Sequence, residues 1–156
     1  MTSIEELYRR YAQDVYRFAF WLCGNSHDAE DIVSETFVRA WAGADDLRMD
    51  TVKAYLLVIA RNLFLKQLRS KEKGELDSNF PDPAPGPDQE AEQRDELRAV
   101  LQELQKLPEV DRAALLMRVQ EELPYEEIAR CLGVSLAAAK VKVHRARLKL
   151  AAVRTA

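Results

Sequence analysis

The sequence contains few of the residues that build disulfide scaffolds, metal centres or redox sites. Only two cysteines and two histidines occur among its 156 residues, and Cys23 and Cys131 lie far apart without a Cys-x-x-Cys spacing. We therefore expect no disulfide framework, no metal site and no other cofactor. Both thiols are expected to be buried as small apolar groups, and His27 to be solvent-facing or hydrogen-bonded.

Long apolar runs are also missing. No stretch approaches the ~18 consecutive apolar residues of a membrane-spanning helix. The N-terminus, MTSIEELYRRYAQD, lacks a signal-peptide pattern and begins directly with amphipathic periodicity. We therefore expect a cytoplasmic protein that does not insert into a membrane.

Charge is present in quantity but unevenly distributed. The net charge is −3, yet residues 74–95 hold seven acidic side chains and one basic one, whereas residues 135–156 hold six basic side chains and no acidic one. A second basic cluster lies at 61–73. Two separate cationic patches indicate two contacts with nucleic acid.

Three helices are predicted in the first half of the chain from apolar residues at three- and four-residue spacing. The first covers about 3–23, the second opens with Ser26 as its N-cap, and the third ends near residue 73. We expect Trp41 and Val52 to lie on the buried faces of the second and third helices.

The second helix also has a predicted outward face that combines carboxylates with aliphatic groups. Asp28, Asp31 and Glu35 follow one another at i, i+3 and i+7, and Ile32 and Val38 lie beside them. A stripe of this kind is either a solvated helix face or a surface that binds a protein partner.

The third helix has a line of polar and cationic residues. Asn62, Lys66, Arg69 and Lys73 lie at i, i+4, i+7 and i+11, and Arg61 is adjacent to Asn62. The spacing fits contacts with phosphate groups, and it fits an ordinary exposed basic face equally well.

Helical periodicity stops in the middle of the chain. Residues 74–89, GELDSNFPDPAPGPDQ, contain four prolines, several acidic residues and one large apolar residue, and therefore cannot form a packed core. We expect an extended acidic linker that joins two small helical domains, residues 1–73 and residues 90–156, in an all-α protein.

The second domain is predicted to begin with two helices. One covers about 90–107 and includes Leu97 and Val100 among its core candidates, and the other covers about 110–121 and includes Val119. Pro108 separates the two helices because it cannot continue the first one.

Residues 123–150, LPYEEIARCLGVSLAAAKVKVHRARLKL, have the pattern of a helix-turn-helix. Pro124 suits the first position of a helix, Gly133 the left-handed residue that ends it, and Ser135 the cap of the next helix. The outward surface of that second helix is cationic and consists of Lys140, Lys142, His144, Arg145, Arg147 and Lys149.

Three segments together resemble the extracytoplasmic-function (ECF) sigma factors of bacterial RNA polymerase, the small two-domain class of the sigma-70 family. DAEDIVSETFVRAW at 28–41 resembles the helix that docks on the clamp helices of the largest polymerase subunit. YLLVIARNLFLKQLR at 55–69 resembles the helix that handles the minus-ten promoter element. LPEVDRAALLMRVQEELPYEEIARCLG at 107–133 resembles the minus-thirty-five domain.

The resemblance implies a specificity subunit that starts transcription at promoters without catalytic residues of its own. The implied contacts with core polymerase are Asp28, Asp31, Ile32, Ser34 and Glu35. The implied minus-ten contacts are the loop at 43–51, which with Asn62 would hold a flipped base, and Arg61, Lys66 and Arg69, which would hold phosphates. The sigma factor would thereby capture the melted strand.

The second domain is implied to read the minus-thirty-five duplex. The base-edge positions match Lys140, Val141, His144 and Arg145, and the positions suited to phosphates are Arg112, Lys142, Arg147 and Lys149. The same domain would contact the flap of the second-largest polymerase subunit. An anti-sigma factor is a further candidate partner, and the acidic linker would thread toward the RNA exit path.

Some residues depart from the family pattern. The family usually has Gly-Thr-Val-Lys-Ser-Arg where residues 137–142 read AAAKVK, so two hydroxyl groups are missing and base preference is expected to differ. An aromatic and a basic residue are common where Leu57 and Val58 stand, and glutamine is common in place of Ser34.

Two other classes of protein fit the sequence less well. A stand-alone helix-turn-helix regulator would need neither the second cationic helix nor the acidic face. An enzyme is disfavoured because no serine, cysteine or lysine nucleophile has an evident base, and because Asp28, Asp31 and Glu35 lack the glutamate and histidine pairs of a di-metal helical bundle.

Overall fold

The computed structural model describes residues 3–43, 51–72, 74 and 91–154, with side chains excluded at 91–94 and 153–154. These residues form helices and no strand, which confirms the predicted all-α class. Lys73 and most of the predicted loop and linker lie outside the described residues. The helices are α1 (Ile4–Cys23), α2 (Ser26–Ala42), α3 (Val52–Glu72), α4 (Ala91–Lys106), α5 (Glu109–Leu115), α6 (Tyr125–Leu132) and α7 (Leu136–Arg154).

The junction between α1 and α2 depends on a glycine and an asparagine. Gly24 adopts a left-handed φ of 77°, and its N–H donates to the Phe20 carbonyl at 2.7 Å. The predicted cap Ser26 is wrong, because Asn25 accepts from the Asp28 N–H at 2.9 Å and Ser26 is the first residue of α2. Asn25 takes this position because its backbone is extended directly after the left-handed turn.

Helix α3 is the central element of the fold. Its sequence predicts one buried face, but residues 56–60 are all buried. Helices α1 and α2 pack on α3 from one domain, and α6 packs on it from the other. Leu57 and Val58, which replace the aromatic and basic residues usual in the family, are among the residues buried in this central segment. Apolar side chains therefore suit a segment that is enclosed around its circumference.

The first two elements of the second domain differ from the sequence prediction. Leu97 and Val100 are exposed, whereas Leu104 and Leu107 are buried, so only the C-terminal part of α4 packs on the core. After α5 the chain continues as a π-helical turn over Leu116–Gln120. This wider turn changes the register, and the predicted core residue Val119 is exposed in consequence.

Two residues that the sequence predicts to be buried are exposed. Trp41 and Val52 each lie at an end of their helix, where no other described element covers them.

Within the described part of the chain, no helix has both the length and the apolarity that crossing a membrane requires.

Candidate functional site

The predicted protein-binding face of α2 divides into exposed and buried members. Asp31, Ser34 and Glu35 are exposed, whereas Asp28 is buried and its carboxylate accepts from the Lys71 ammonium at 2.5 Å. Ile32 is only 1% exposed, so the expectation that it projects outward is wrong. Ile32 belongs to the buried i, i+1, i+4, i+5 pattern of α2 that packs on the core.

A cleft of about 520 Å³ lies between α2 and α3. Its walls bring the predicted protein-binding face together with part of the cationic line of α3. The Oε1 atom of Gln67 is buried there and has no hydrogen-bond partner among the described residues. The lining residues are Asp31, Ile32, Ser34, Glu35, Arg39, Leu63, Lys66, Gln67 and Ser70.

Among the described residues of the cationic line of α3, all except Arg61 are exposed. Asn62, Lys66 and Arg69 are exposed. Arg61 donates to Glu109 of the second domain through Nε at 2.9 Å and Nη2 at 2.7 Å, and the two side chains are only 13% and 15% exposed. Because successive residues of a helix are about 100° apart, Arg61 faces the second domain while Asn62 faces solvent.

Arg112 has a structural role in this arrangement instead of the predicted contact with phosphate. Its residue is 6% exposed, and its guanidinium donates to the carbonyls of Leu22 at 2.6 Å, Leu104 at 2.9 Å, Leu107 at 3.1 Å and Gln105 at 3.2 Å. These carbonyls belong to the C-terminal ends of α1 and α4. Arg112 therefore joins the two domains, and burial lowers the pKa of its guanidinium.

Glu121 makes a second set of contacts between the domains, and this role could not be recognised from sequence spacing. Its buried carboxylate accepts from Arg17 Nε and Nη2, each at 3.0 Å, and pairs with Lys53 Nζ at 3.2 Å. Arg17 and Lys53 lie on α1 and α3. The hydrogen bond with Glu121 is the main reason that the pKa of Arg17 is raised.

The helix-turn-helix has the turn geometry that Gly133 and Ser135 predict, but the predicted first helical residue, Pro124, is instead the extended N-cap residue before Tyr125. Gly133 adopts a left-handed φ of 67°, and Ser135 Oγ accepts from the Ala138 N–H at 3.0 Å. On α7, Ala139 and Val143 are fully buried. The exposed residues of the predicted DNA-reading surface are Lys140, Val141, His144, Arg145, Arg147 and Lys149.

Asp111 of α5 holds two of the cations of α7. Arg145 donates to its carboxylate through Nε at 2.9 Å and Nη2 at 3.1 Å. The ammonium of Lys142 lies 3.9 Å from Oδ1 of the same carboxylate, and this lysine is half-buried. The sequence predicts both cations but not their shared partner, which lies 34 positions before Arg145 in the chain.

Neither of the two cysteines forms a disulfide, and both have little nucleophilic character. Burial raises the pKa of Cys23 to about 11 and that of Cys131 to about 12. Cys131 is buried and Cys23 is partly exposed. Neutral thiols of this kind behave as small apolar groups.

Two helical domains, one of which carries a helix-turn-helix with an open cationic face, indicate a sigma factor of the sigma-70 class. Residues 7–74 match the family model of Sigma-70 region 2, and residues 97–150 match that of Sigma-70 region 4.

Relatives that match over most of their length specify the family. The chain is 32% identical to RNA polymerase sigma factor YlaC of Bacillus subtilis, over 95% of this chain and 90% of that protein. It is also 32% identical to the ECF RNA polymerase sigma factor SigM of the same organism, over 97% and 94% of the two chains. The chain therefore belongs to the ECF sigma factors, a family of specificity subunits of RNA polymerase.

A third relative is longer than this chain. ECF RNA polymerase sigma factor SigE of Mycolicibacterium smegmatis is 38% identical over 96% of this chain, which spans 61% of that protein's length.

Solved structures share the fold. The sigma factor RpoE of Bartonella quintana, in complex with the anti-sigma factor NepR, matches with a TM-score of 0.75 and 28% identity over 96% of this chain and 95% of that one. CnrH, in complex with the cytosolic domain of CnrY, matches with a TM-score of 0.74 and 26% identity over 97% and 87% of the two chains. These likenesses confirm a two-domain helical fold.

Proposed function

We propose that this chain directs core RNA polymerase to specific promoters, captures the melted minus-ten strand with α3 and reads the minus-thirty-five duplex with α7. The observation that carries this proposal is the combination, on one chain of a sigma family, of an exposed acidic face on α2 and an exposed cationic face on α7. Such a chain can bind a protein with one domain and DNA with the other.

Docking on core polymerase is assigned to the exposed part of the α2 face. Asp31, Ser34 and Glu35 would contact the clamp helices of the largest subunit, with the carboxylates pairing with cations there. Asp28 and Ile32 would support this surface from the buried side of α2, since Asp28 accepts a hydrogen bond from Lys71 and Ile32 lines the cleft. The helix-turn-helix domain would contact the flap of the second-largest subunit.

Capture of the minus-ten strand is assigned to the exposed line on α3. Lys66 and Arg69 would hold phosphates, and Asn62 would hold a flipped base together with the loop between α2 and α3. Arg61 would join them only after its pair with Glu109 is broken, because in that pair both side chains are almost closed to solvent. Promoter binding would therefore separate the two domains at this contact.

Reading of the minus-thirty-five duplex is assigned to the outward surface of α7. Lys140, Val141, His144 and Arg145 would face base edges, and Lys142, Arg147 and Lys149 would face phosphates. Arg112 is not included, because its guanidinium is engaged by backbone carbonyls. Since DNA and polymerase are its targets, we expect the chain to act in the cytoplasm.

An anti-sigma factor is a further proposed partner. RpoE and NepR form a complex of this kind, and the chain resembles that sigma factor over 96% of its length. A bound protein that covers the exposed face of α2 would compete with core polymerase.

Promoter-dependent transcription tests the proposal directly. Purified chain is combined with bacterial core polymerase and a pool of genomic duplex fragments, and run-off transcripts are compared with those of core alone. We expect discrete new transcripts that require the chain. The same transcript pattern with and without the chain would contradict the proposed function.

Charge reversal separates docking from DNA binding. Asp31→Lys combined with Glu35→Lys is expected to weaken binding to core polymerase at least about tenfold, because two attractive pairs become repulsive. The matched control is Asp95→Lys with Glu96→Lys, which makes the same charge change on the exposed part of α4. Equal losses in both variants would remove the assignment to α2.

A further inference from the structure

The carboxylate of Asp111 is an unusual partner for a DNA-reading helix. It is only 2% exposed, yet its hydrogen-bonded partner Arg145 is 49% exposed on the outward surface of α7. A buried carboxylate must be compensated by cations, and here both nearby cations, Lys142 and Arg145, belong to α7. Asp111 therefore links the interior of the domain to its DNA-facing surface.

The geometry leaves one edge of the Arg145 guanidinium open. A guanidinium has five N–H donors in a fixed plane. Asp111 accepts from Nε and Nη2, so the N–H groups of Nη1 and the second one of Nη2 are not used in this pair. These are the donors with which an arginine can contact O6 and N7 of a guanine in the major groove.

We propose that Asp111 is a positioning residue for sequence recognition, which holds Arg145 in one orientation so that its open edge donates to a guanine. The proposal rests on the function proposed for α7 and extends it to a residue that touches no DNA. An arginine that is already held loses less conformational freedom on binding, and it is less able to turn toward a wrong base.

A purely structural role is a weaker explanation of Asp111. Replacing a buried ion pair by apolar residues of similar volume is often neutral or stabilising, so packing alone does not require a carboxylate. A negative charge beside a DNA-binding helix also opposes the attraction of phosphates, which lowers affinity for every sequence. Orientation of Arg145 would compensate for that loss by improving discrimination between sequences.

Positioning of Arg145 by Asp111 predicts different effects on specific and non-specific binding. Asp111→Asn keeps the volume of the side chain but removes its charge. We expect discrimination at one G·C pair to fall about tenfold, because a good bidentate contact is worth about that much. We expect affinity for unrelated duplex to stay equal or rise, since the domain has lost a negative charge.

The experiment uses the full chain bound to core polymerase. Wild-type holoenzyme first selects a duplex from a randomised pool, and that duplex is the probe. Each G·C pair of the probe is then replaced in turn, and the affinities are compared for the wild type, Asp111→Asn and Arg145→Lys. Glu103→Gln is the control, because it removes one negative charge from an exposed pair with Lys106.

A double variant distinguishes positioning from damage to the fold. In an Arg145→Lys background, Asp111→Asn should cause no further loss of discrimination, because the residue that it positions is already gone. If Asp111→Asn does not fold, as judged by circular dichroism, Arg145→Lys still tests the proposal, because it must relax preference at a single G·C pair.

The possible results separate this inference from the function on which it rests. Loss of specific and non-specific affinity together, or a further loss in the Arg145→Lys background, would overturn positioning by Asp111 in favour of a structural role. Unchanged preference in Arg145→Lys would overturn it together with the assignment of Arg145 to a base edge, while leaving promoter recognition by the rest of α7 intact. Failure of wild-type holoenzyme to select any duplex would overturn both.

Discussion

Helices α3 and α7 both carry basic residues on a predicted nucleic-acid surface, but the second domain affects them in different ways. On α7, Asp111 holds Arg145 from beneath and leaves it half exposed. On α3, Glu109 holds Arg61 in a pair that is almost closed to solvent. Asp111 and Glu109 lie on the same short helix, α5, and are two positions apart.

Under the proposed function, one acidic partner would prepare an arginine for contact with DNA and the other would withhold an arginine from it. The pair on α7 lies within one domain, so it can persist when DNA binds. The pair on α3 joins two domains, so it must break before Arg61 reaches a phosphate. Loss of the contacts between the domains should therefore change α3 far more than α7.

Removal of Arg112 is expected to have the largest effect on this comparison. Arg112→Ala leaves four carbonyls without their donor and should destabilise the chain by about 3 kcal/mol, because hydrogen bonds to a buried charged group are strong. Urea unfolding measures the loss. Arg147→Ala, on the exposed surface of α7, should change stability by less than about 0.5 kcal/mol. Similar losses in both variants would contradict the role of Arg112 in joining the two domains.

Removal of the partner of Arg61 is expected to be the next largest effect. Glu109→Gln should increase the affinity of the free chain for a single-stranded oligonucleotide about tenfold, equivalent to about 1.4 kcal/mol, because Arg61 is no longer held. Fluorescence anisotropy measures this gain. Glu103→Gln changes the net charge equally on α4, and an equal gain there would show that charge alone is responsible.

Alkaline pH is expected to destabilise both domains to a similar extent. The pKa values of Cys23 and Cys131 are raised from 9.0 to about 11 and about 12 in the folded chain. Their contribution is complete below pH 9 and is lost as the pH rises toward the folded values, because the unfolded thiols ionise first. Each thiol should account for about 1.4 kcal/mol of lost stability at pH 10.

Single substitutions test the equality of the two thiols. Cys23→Ala and Cys131→Ala should each remove about half of the cysteine-dependent slope of unfolding free energy between pH 9 and pH 10. The measurement is urea unfolding at several pH values. An unchanged slope in either variant would mean that the corresponding thiol ionises equally in the folded and unfolded chain.

The smallest expected effect concerns the turn that follows the π-helical segment. Glu122 has a positive φ of 61°, a conformation that costs a residue with a Cβ about 1 kcal/mol relative to glycine. Glu122→Gly should therefore raise stability by about that amount, measured by thermal or urea unfolding. Glu126→Gly, within α6, should lower stability by about 1 kcal/mol, and a loss in both variants would contradict strain at Glu122.

Residues close together in the chain could be predicted well. The left-handed Gly133 and the Ser135 cap follow from short-range spacing and backbone chemistry, and the structure confirms both. The cap of α2 could not be assigned from spacing, because Asn25 and Ser26 are adjacent and both can accept a backbone N–H.

Surface assignments could be predicted only in part. Periodicity identifies a helix face but does not tell which element will cover it, so Ile32 was expected outside and lies in the core, and Val119 was expected in the core and lies outside. The π-helical turn before Glu121 also changes the register in a way that no spacing rule anticipates.

The sequence by itself determined an all-α chain, because helical periodicity and turn residues are local properties, and the resemblance of three motifs in order indicated the ECF sigma class. Only the tertiary structure decided the partners of its charges. Arg61, Arg112 and Arg145 look alike in a pattern of cations. In the structure Arg61 is paired across the domains, Arg112 is buried among backbone carbonyls, and Arg145 is paired with Asp111 but half exposed. The physical reason is that the environment of each charge includes a partner tens of positions away, Glu109, Leu22 or Asp111, which meets it only when the helices pack.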